Sequence, residues 1–161
     1  MSDQTKPDSM AELVADLVDR GLAARDTIEP CYRDEVEEIR AVKGAEHLPA
    51  QYEEFLLIMG RRAGELLRGS DFFYPSVVEL DGEMRELLEE CNASHLAPAG
   101  SIYIGMHQGG SLYWMAPGDP SGVVSEYIEF QEKPSRNWPS LLEFLSDAAD
   151  EQLRTKEKYG L

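Results

Sequence analysis

From Cys91 to Gly118 the chain carries no Asp, Glu, Lys or Arg, although 29% of its residues are charged and its formal net charge is −16. A stretch of that kind is expected inside a fold rather than on a solvated loop, because charged side chains are the ones a protein keeps out of its interior. Its pattern is that of strands. Ser101-Ile102-Tyr103-Ile104-Gly105-Met106 is rich in β-branched and aromatic residues, Gln108-Gly109-Gly110 is a turn signal, and Ser111-Leu112-Tyr113-Trp114-Met115 is a return strand. A dense turn cluster follows at Pro117-Gly118-Asp119-Pro120-Ser121-Gly122. Residues 123–130 then form a third strand candidate, in which neither alternating set is cleanly apolar.

Helical periodicity surrounds this block. Ser9 with Glu12 reads as a capping box, and Leu13, Val14, Leu17 and Val18 continue an apolar face, predicting a helix over 9–24. A second helix is predicted over 33–42, with Val36 and Ile39 inward, four acids near its N-terminus and Gly44 at its end. The third begins at Leu48-Pro49. Pro suits a first helical turn, and Tyr52, Phe55, Leu56 and Met59 recur at i, i+3, i+4 and i+7. Gly60 is expected to close it in the left-handed region. Asp71-Phe72-Phe73-Tyr74-Pro75 reads as an extended segment, and Met84, Leu87, Leu88 and Cys91 mark a fourth helix from Gly82. Asn137 is expected to cap a last helix, with Pro139 in its first turn and Trp138, Leu141, Leu142, Phe144 and Leu145 on its apolar side, before a charged tail from Arg154.

Helices, then a strand meander, then a helix is an α+β order: an antiparallel sheet with N-terminal helices and a C-terminal helix packed on one face. The 161 residues suit one globular unit at 31–161, preceded by an N-terminal extension at 1–30 with one helix.

The charge narrows the function. Residues 1–90 have a net charge of −12 and residues 119–161 a net charge of −4. Binding nucleic acid requires a basic footprint, and anionic membranes attract basic segments, so neither partner is expected. Steering toward a basic partner fits the charge, as does simple solubility. Met1 to Ser9 is polar with no apolar core, and no run of about 18 apolar residues occurs, so neither a leader nor a membrane span is expected. Cys31 and Cys91 lie far apart and match neither a CxxC nor a disulfide framework; they read as small buried residues of a reducing, cytoplasmic compartment.

No catalytic constellation stands out. His47, His95 and His107 have no metal-ligand spacing, and His107, beside a turn, reads as a solvated side chain. The Gly105–Gly110 segment lacks phosphate-loop spacing, and there is no GxSxG elbow. The expectation is therefore no enzyme, no cofactor and no metal. What remains is a surface. Glu126 and Glu129, with Asp119 in the preceding turn, set carboxylates beside the aromatic residues Tyr113, Trp114 and Tyr127. Tyr and Trp are favoured interface anchors, so Tyr113 or Trp114 with Asp119, Glu126 and Glu129 is the candidate partner-binding set. Tyr113 and Trp114 point to opposite faces of one strand, so at least one of them must turn inward.

The ordered set of these elements resembles the SUKH superfamily of bacterial immunity proteins and fungal cell-wall-synthesis regulators. The resemblance spans residues 31 to 145. Asp34-Glu35-Val36-Glu37-Glu38-Ile39 is similar to the family's acidic helix. Leu48-Pro49 with Tyr52, Phe55 and Leu56 resembles its Leu-Pro aromatic helix. The strands around Gly109-Gly110 resemble its hairpin, and Trp138, Leu141, Phe144 and Leu145 its closing helix. Where the family has Asn-Gly after the Leu-Pro helix, this chain has Met59-Gly60-Arg61-Arg62, and the helix expected over 9–24 lies outside the pattern. The resemblance implies a non-catalytic binding module: an immunity protein that neutralises a cognate basic, nuclease-type toxin by stoichiometric binding, or alternatively a scaffold or regulator of the same fold.

Overall fold

The computed structural model describes residues 6–108, 110–116, 122–131 and 136–160. Among them the chain runs through α1 (Met10–Asp19), β1 (Ile28–Glu29), α2 (Arg33–Lys43), α3 (Ala50–Met59), β2 (Arg62–Ala63), β3 (Ser70–Asp71), α4 (Ser76–Glu79), α5 (Asp81–Glu90), β4 (Ile102–His107), β5 (Ser111–Met115), β6 (Val124–Ile128), β7 (Arg136–Trp138) and α6 (Leu141–Tyr159). β1 and β2 pair with each other. The other strands form one antiparallel sheet in the order β3-β4-β5-β6-β7, with the uncharged stretch at its centre. This is an α+β fold.

The helices follow their local chemistry. The Ser9 hydroxyl accepts from the Glu12 N–H at the start of α1, while the Glu12 carboxylate accepts from Asp8 N–H, one residue earlier than a capping box requires. α1 stops at Asp19, short of the predicted 24, because Gly21 takes φ +74° and Leu22 turns into the core. α1 is built into the main core through Met10, Leu13 and Leu17, so the N-terminal helix is part of the globular unit. α2 ends as expected on Gly44 in the left-handed region. α3 carries the buried stripe Tyr52, Phe55, Leu56 and Met59. Gly60 instead keeps φ −68°, not the expected left-handed value. Glycine is required there by space: a Cβ would stand 2.5 Å from Cys31 Sγ.

The last helix corrects the sequence reading. Asn137 does not cap it. Asn137 and Trp138 belong to β7, where Trp138 pairs with Val124, and Ser140 is the cap, its hydroxyl accepting from Glu143 N–H. The residues read as a charged tail continue the helix to Tyr159.

The sheet also differs from the expected one-sided packing. Ile102, Ile104, Met115, Val124 and Trp138 face α1, α3 and α6. Met106, Leu112, Trp114 and Tyr127 face the other way and are covered by Met84, Leu87 and Leu88 of α5. A strand without charges has two faces to shield from water, and α5 has an apolar stripe that needs a partner, so both faces acquire helices. A bulge at Ile104 keeps this alternation in register: Tyr103 pairs with Trp114, and the next pair is Gly105 with Tyr113. Beyond the sheet, buried Lys43 of α2 donates to Asp81 Oδ1 at 2.8 Å and to the Val77 carbonyl at 2.9 Å, tying α2 to α4 and α5. No helix among the described residues is long and apolar enough to cross a membrane.

Candidate functional site

Between the α6-facing side of the sheet and α6 itself lies a cleft of about 440 Å³. Its walls are four aromatic rings contributed by four separate elements: Phe72 after β3, Tyr113 of β5, Trp138 of β7 and Phe144 of α6. Phe144 is the hub, with ring centroids 4.9 Å from Trp138, 5.2 Å from Tyr113 and 5.6 Å from Phe72. Phe72 stacks on Phe144, Tyr113 is tilted to it and Trp138 meets it edge-on, arrangements that ring quadrupoles favour at these distances. The Phe72 ring lies flat on Gly105, where a Cβ would come within 2.6 Å of it.

Polar groups are set around this wall by strand register and helical period. Tyr113 and Glu126 are cross-strand partners, and the Tyr113 hydroxyl donates to Glu126 Oε2 at 2.7 Å. Arg136 is the cross-strand partner of Glu126 on the other side. Asp147 and Glu151, four residues apart on α6, share a helix face turned toward the cleft. Asp147 Oδ2 accepts from Arg136 Nη2 and from Trp138 Nε1, each at 2.9 Å. The Arg136 guanidinium lies 4.6 Å over the Trp138 ring. At the far end Ser70 Oγ and His107 Nδ1 are 2.6 Å apart.

The electrostatics are those of a negative, half-sheltered site. Burial pushes the Tyr113 hydroxyl well above the ordinary tyrosine range, and the hydrogen bond to Glu126 and the charges of Glu126 and Glu151 push it further, with Arg136 opposing. Tyr113 is thus held protonated as a donor to a carboxylate. A serine nucleophile needs a base that a third group orients. The His107 imidazole is hydrogen-bonded to the Ser70 hydroxyl. The described residues contain no cluster of three or more His, Cys, Asp or Glu that would hold a metal ion. What the cleft is equipped to do is hold a cation against aromatic rings.

Of the residues expected at a partner surface, Tyr113 and Glu126 meet here. Trp114 does not: it is 2% exposed, in the core between β5 and α5, because it alternates with Tyr113. Glu129 lies in the turn after β6, where its N–H donates to the Gly110 carbonyl, outside the cleft lining. Asp119 and most of its turn cluster fall outside the described residues. His107, read as solvated, is half-buried and bonded to Ser70. Arg136, Trp138, Asp147 and Glu151 were not anticipated as site residues. The i, i+4 acids of the last helix were a visible signal for two of them. Arg136 and Trp138 depend on a three-residue strand that exists through its pairing with β6.

No protein-family model, curated protein or solved structure matches this chain.

Proposed function

We propose that this chain is a SUKH-like immunity protein that binds a basic, nuclease-type toxin in the cytoplasm and blocks it by stoichiometric occlusion. The supporting observation is the convergence of Glu126, Asp147 and Glu151 on one aromatic cleft in a protein of net charge −16. Carboxylates around aromatic walls are what a basic protein surface requires of its partner, and a large negative field raises the association rate with such a surface. Tyr113 and Trp138 supply rigid amphipathic contact area of the kind that dominates interface energies. The function needs no catalytic step.

The test is affinity capture from the native lysate followed by co-expression. The proposal expects one basic polypeptide, bound stoichiometrically, that is toxic when expressed alone and harmless beside this chain. Captured partners that are non-toxic and not basic would overturn it.

A further inference from the structure

A second surface lies outside the cleft, where α2 begins. Tyr32, the residue before that helix, is 69% exposed. Its backbone is fixed: the Cys31 N–H donates to the Leu56 carbonyl, and the Tyr32 N–H donates to Glu35 Oε1 at 2.8 Å. Arg61 is held on the buried Glu35 carboxylate by two hydrogen bonds. Its guanidinium lies 5.0 Å from the Tyr74 ring centroid and 5.9 Å from that of Tyr32. Tyr74 is tied in turn, its N–H donating to the Gly60 carbonyl at 2.8 Å and its hydroxyl to Glu38 Oε1 at 2.6 Å. Two tyrosines are thus arranged around one guanidinium on a fixed backbone, which lowers the ordering cost of a contact made there. Tyr and Arg are the residue types that dominate interface energies. None of these residues lines the cleft.

We infer that this tyrosine pair is a docking surface for a basic protein partner, an arginine of which stacks on the open face of Tyr32 beside Asp34. The inference goes beyond the cleft and does not require the partner to be a toxin. The sign of the partner follows from how the charges here are paired. Arg61 is neutralised by Glu35. Asp34 forms no ion pair among the described residues, and Glu38 accepts from the uncharged Tyr74 hydroxyl with no cation bonded to it. Asp34 and Glu38 are four residues apart, on one face of α2. The hydrogen bond to Glu38 raises the Tyr74 hydroxyl above its ordinary value and the Asp34 charge adds to the shift, so both carboxylates act at this ring. Arg33, the other cation of the helix start, stands about 100° around the helix from Asp34, and even with it the carboxylates Asp34, Glu35 and Glu38 outnumber the guanidinium groups. An anion would therefore meet uncompensated carboxylates. A second copy of a chain of net charge −16 would bring two such surfaces together. A planar, weakly hydrated guanidinium both stacks on a tyrosine ring and bonds a carboxylate beside it. Charge alone has its own control in the molecule: α5 carries exposed Glu83, Glu86 and Glu90 and no aromatic residue.

The experiment titrates an acetylated, amidated pentapeptide of alternating arginine and glycine into the full chain and follows amide and tyrosine-ring signals by NMR. The matching citrulline–glycine peptide is the neutral isostere. The expected result is saturable movement at Tyr32, Asp34 and Tyr74 with the arginine peptide, none with the citrulline peptide, and weaker movement along α5. Tyr32→Ala with Asp34→Asn, both at exposed side chains, should weaken binding by roughly fivefold, the loss of one exposed cation–π contact and one exposed ion pair, with the circular dichroism unchanged. Equal response to the citrulline peptide, movement on α5 as large as at Tyr32, no saturable movement at all, or an unchanged affinity in the folded double variant would overturn the inference. The two proposals fail separately. Peptide binding at Tyr32 without any toxic partner leaves this surface standing and removes the function. A captured toxin that leaves the Tyr32 and Tyr74 signals unmoved does the reverse.

Discussion

Tyr113 and Glu126 face each other across β5 and β6, and the 2.7 Å hydrogen bond between them is where the sheet meets the cleft. The bond explains why a tyrosine buried against Phe72 and Phe144 is tolerated: its ring joins the apolar wall while its hydroxyl has a charged partner. Tyr113→Phe removes the donor and leaves a half-buried carboxylate short of one hydrogen bond. A loss of about 1–3 kcal/mol is expected, read from the urea midpoint.

Alkaline stability follows from the same residue and from Tyr52. Both hydroxyls are held well above the ordinary range, Tyr52 by complete burial and Tyr113 by burial and its carboxylate neighbours. The unfolded chain releases these protons near pH ~10, while the native chain keeps them. Above that pH the native state binds more protons than the unfolded state, so stability falls as pH rises. The urea midpoint should begin to fall near pH ~9, where the unfolded Cys31 thiol ionises while burial holds the native one up to about 11, and should fall more steeply beyond about 10, less so in Tyr113→Phe.

Tyr52 has a second consequence. Its hydroxyl is buried with no hydrogen-bond partner among the described residues. Tyr52→Phe keeps the ring stacked near Phe55 and removes an unsatisfied polar group, so the variant should be as stable as the parent or more stable by about 1 kcal/mol. Calorimetry checks the sign.

Asp81 is expected to be among the costliest single positions. Its Oδ1 takes the buried Lys43 ammonium and its Oδ2 takes Arg85 at 2.8 Å. Burial already depresses Lys43, with Asp81 working against that shift. Asp81→Asn leaves the ammonium without its charge partner, and removing one side of a buried pair costs about 3–5 kcal/mol. Chemical denaturation measures it, and a loss under about 1 kcal/mol would contradict the staple between α2 and α5.

Gly105→Ala tests the cleft floor. The added methyl would meet the Phe72 ring at 2.6 Å, so the ring must move into the cleft. Overpacking of this kind costs about 1–3 kcal/mol.

Much of this was legible in the chain. The absence of charge from Cys91 to Gly118 located the central strands, and the i, i+3, i+4, i+7 spacing of Tyr52, Phe55, Leu56 and Met59 located α3. The same absence of charge also implied two faces to cover, which the expectation of one-sided packing did not follow through to α5. Pro139 and the apolar residues after it drew the helix start back over Asn137 and Trp138, whereas pairing with β6 makes them a strand and leaves Ser140 to cap. Local propensity is weak against a ladder that supplies backbone partners. The site was half legible for the same reason. Tyr113 and Glu126 lie on strands that periodicity predicts, but their meeting with Asp147 and Glu151 is a tertiary relation between a sheet face and a helix face far along the chain.

The most direct measurement compares capture from the native lysate by the wild-type chain and by a folded variant carrying Glu126→Lys and Glu151→Lys. The account predicts that the wild type retains one basic, toxic polypeptide stoichiometrically and that the charge-reversed variant loses it along with protection in co-expression. Equal retention and equal protection by the variant would contradict the cleft as the binding surface. Capture of partners that are neither basic nor toxic would contradict the immunity function itself.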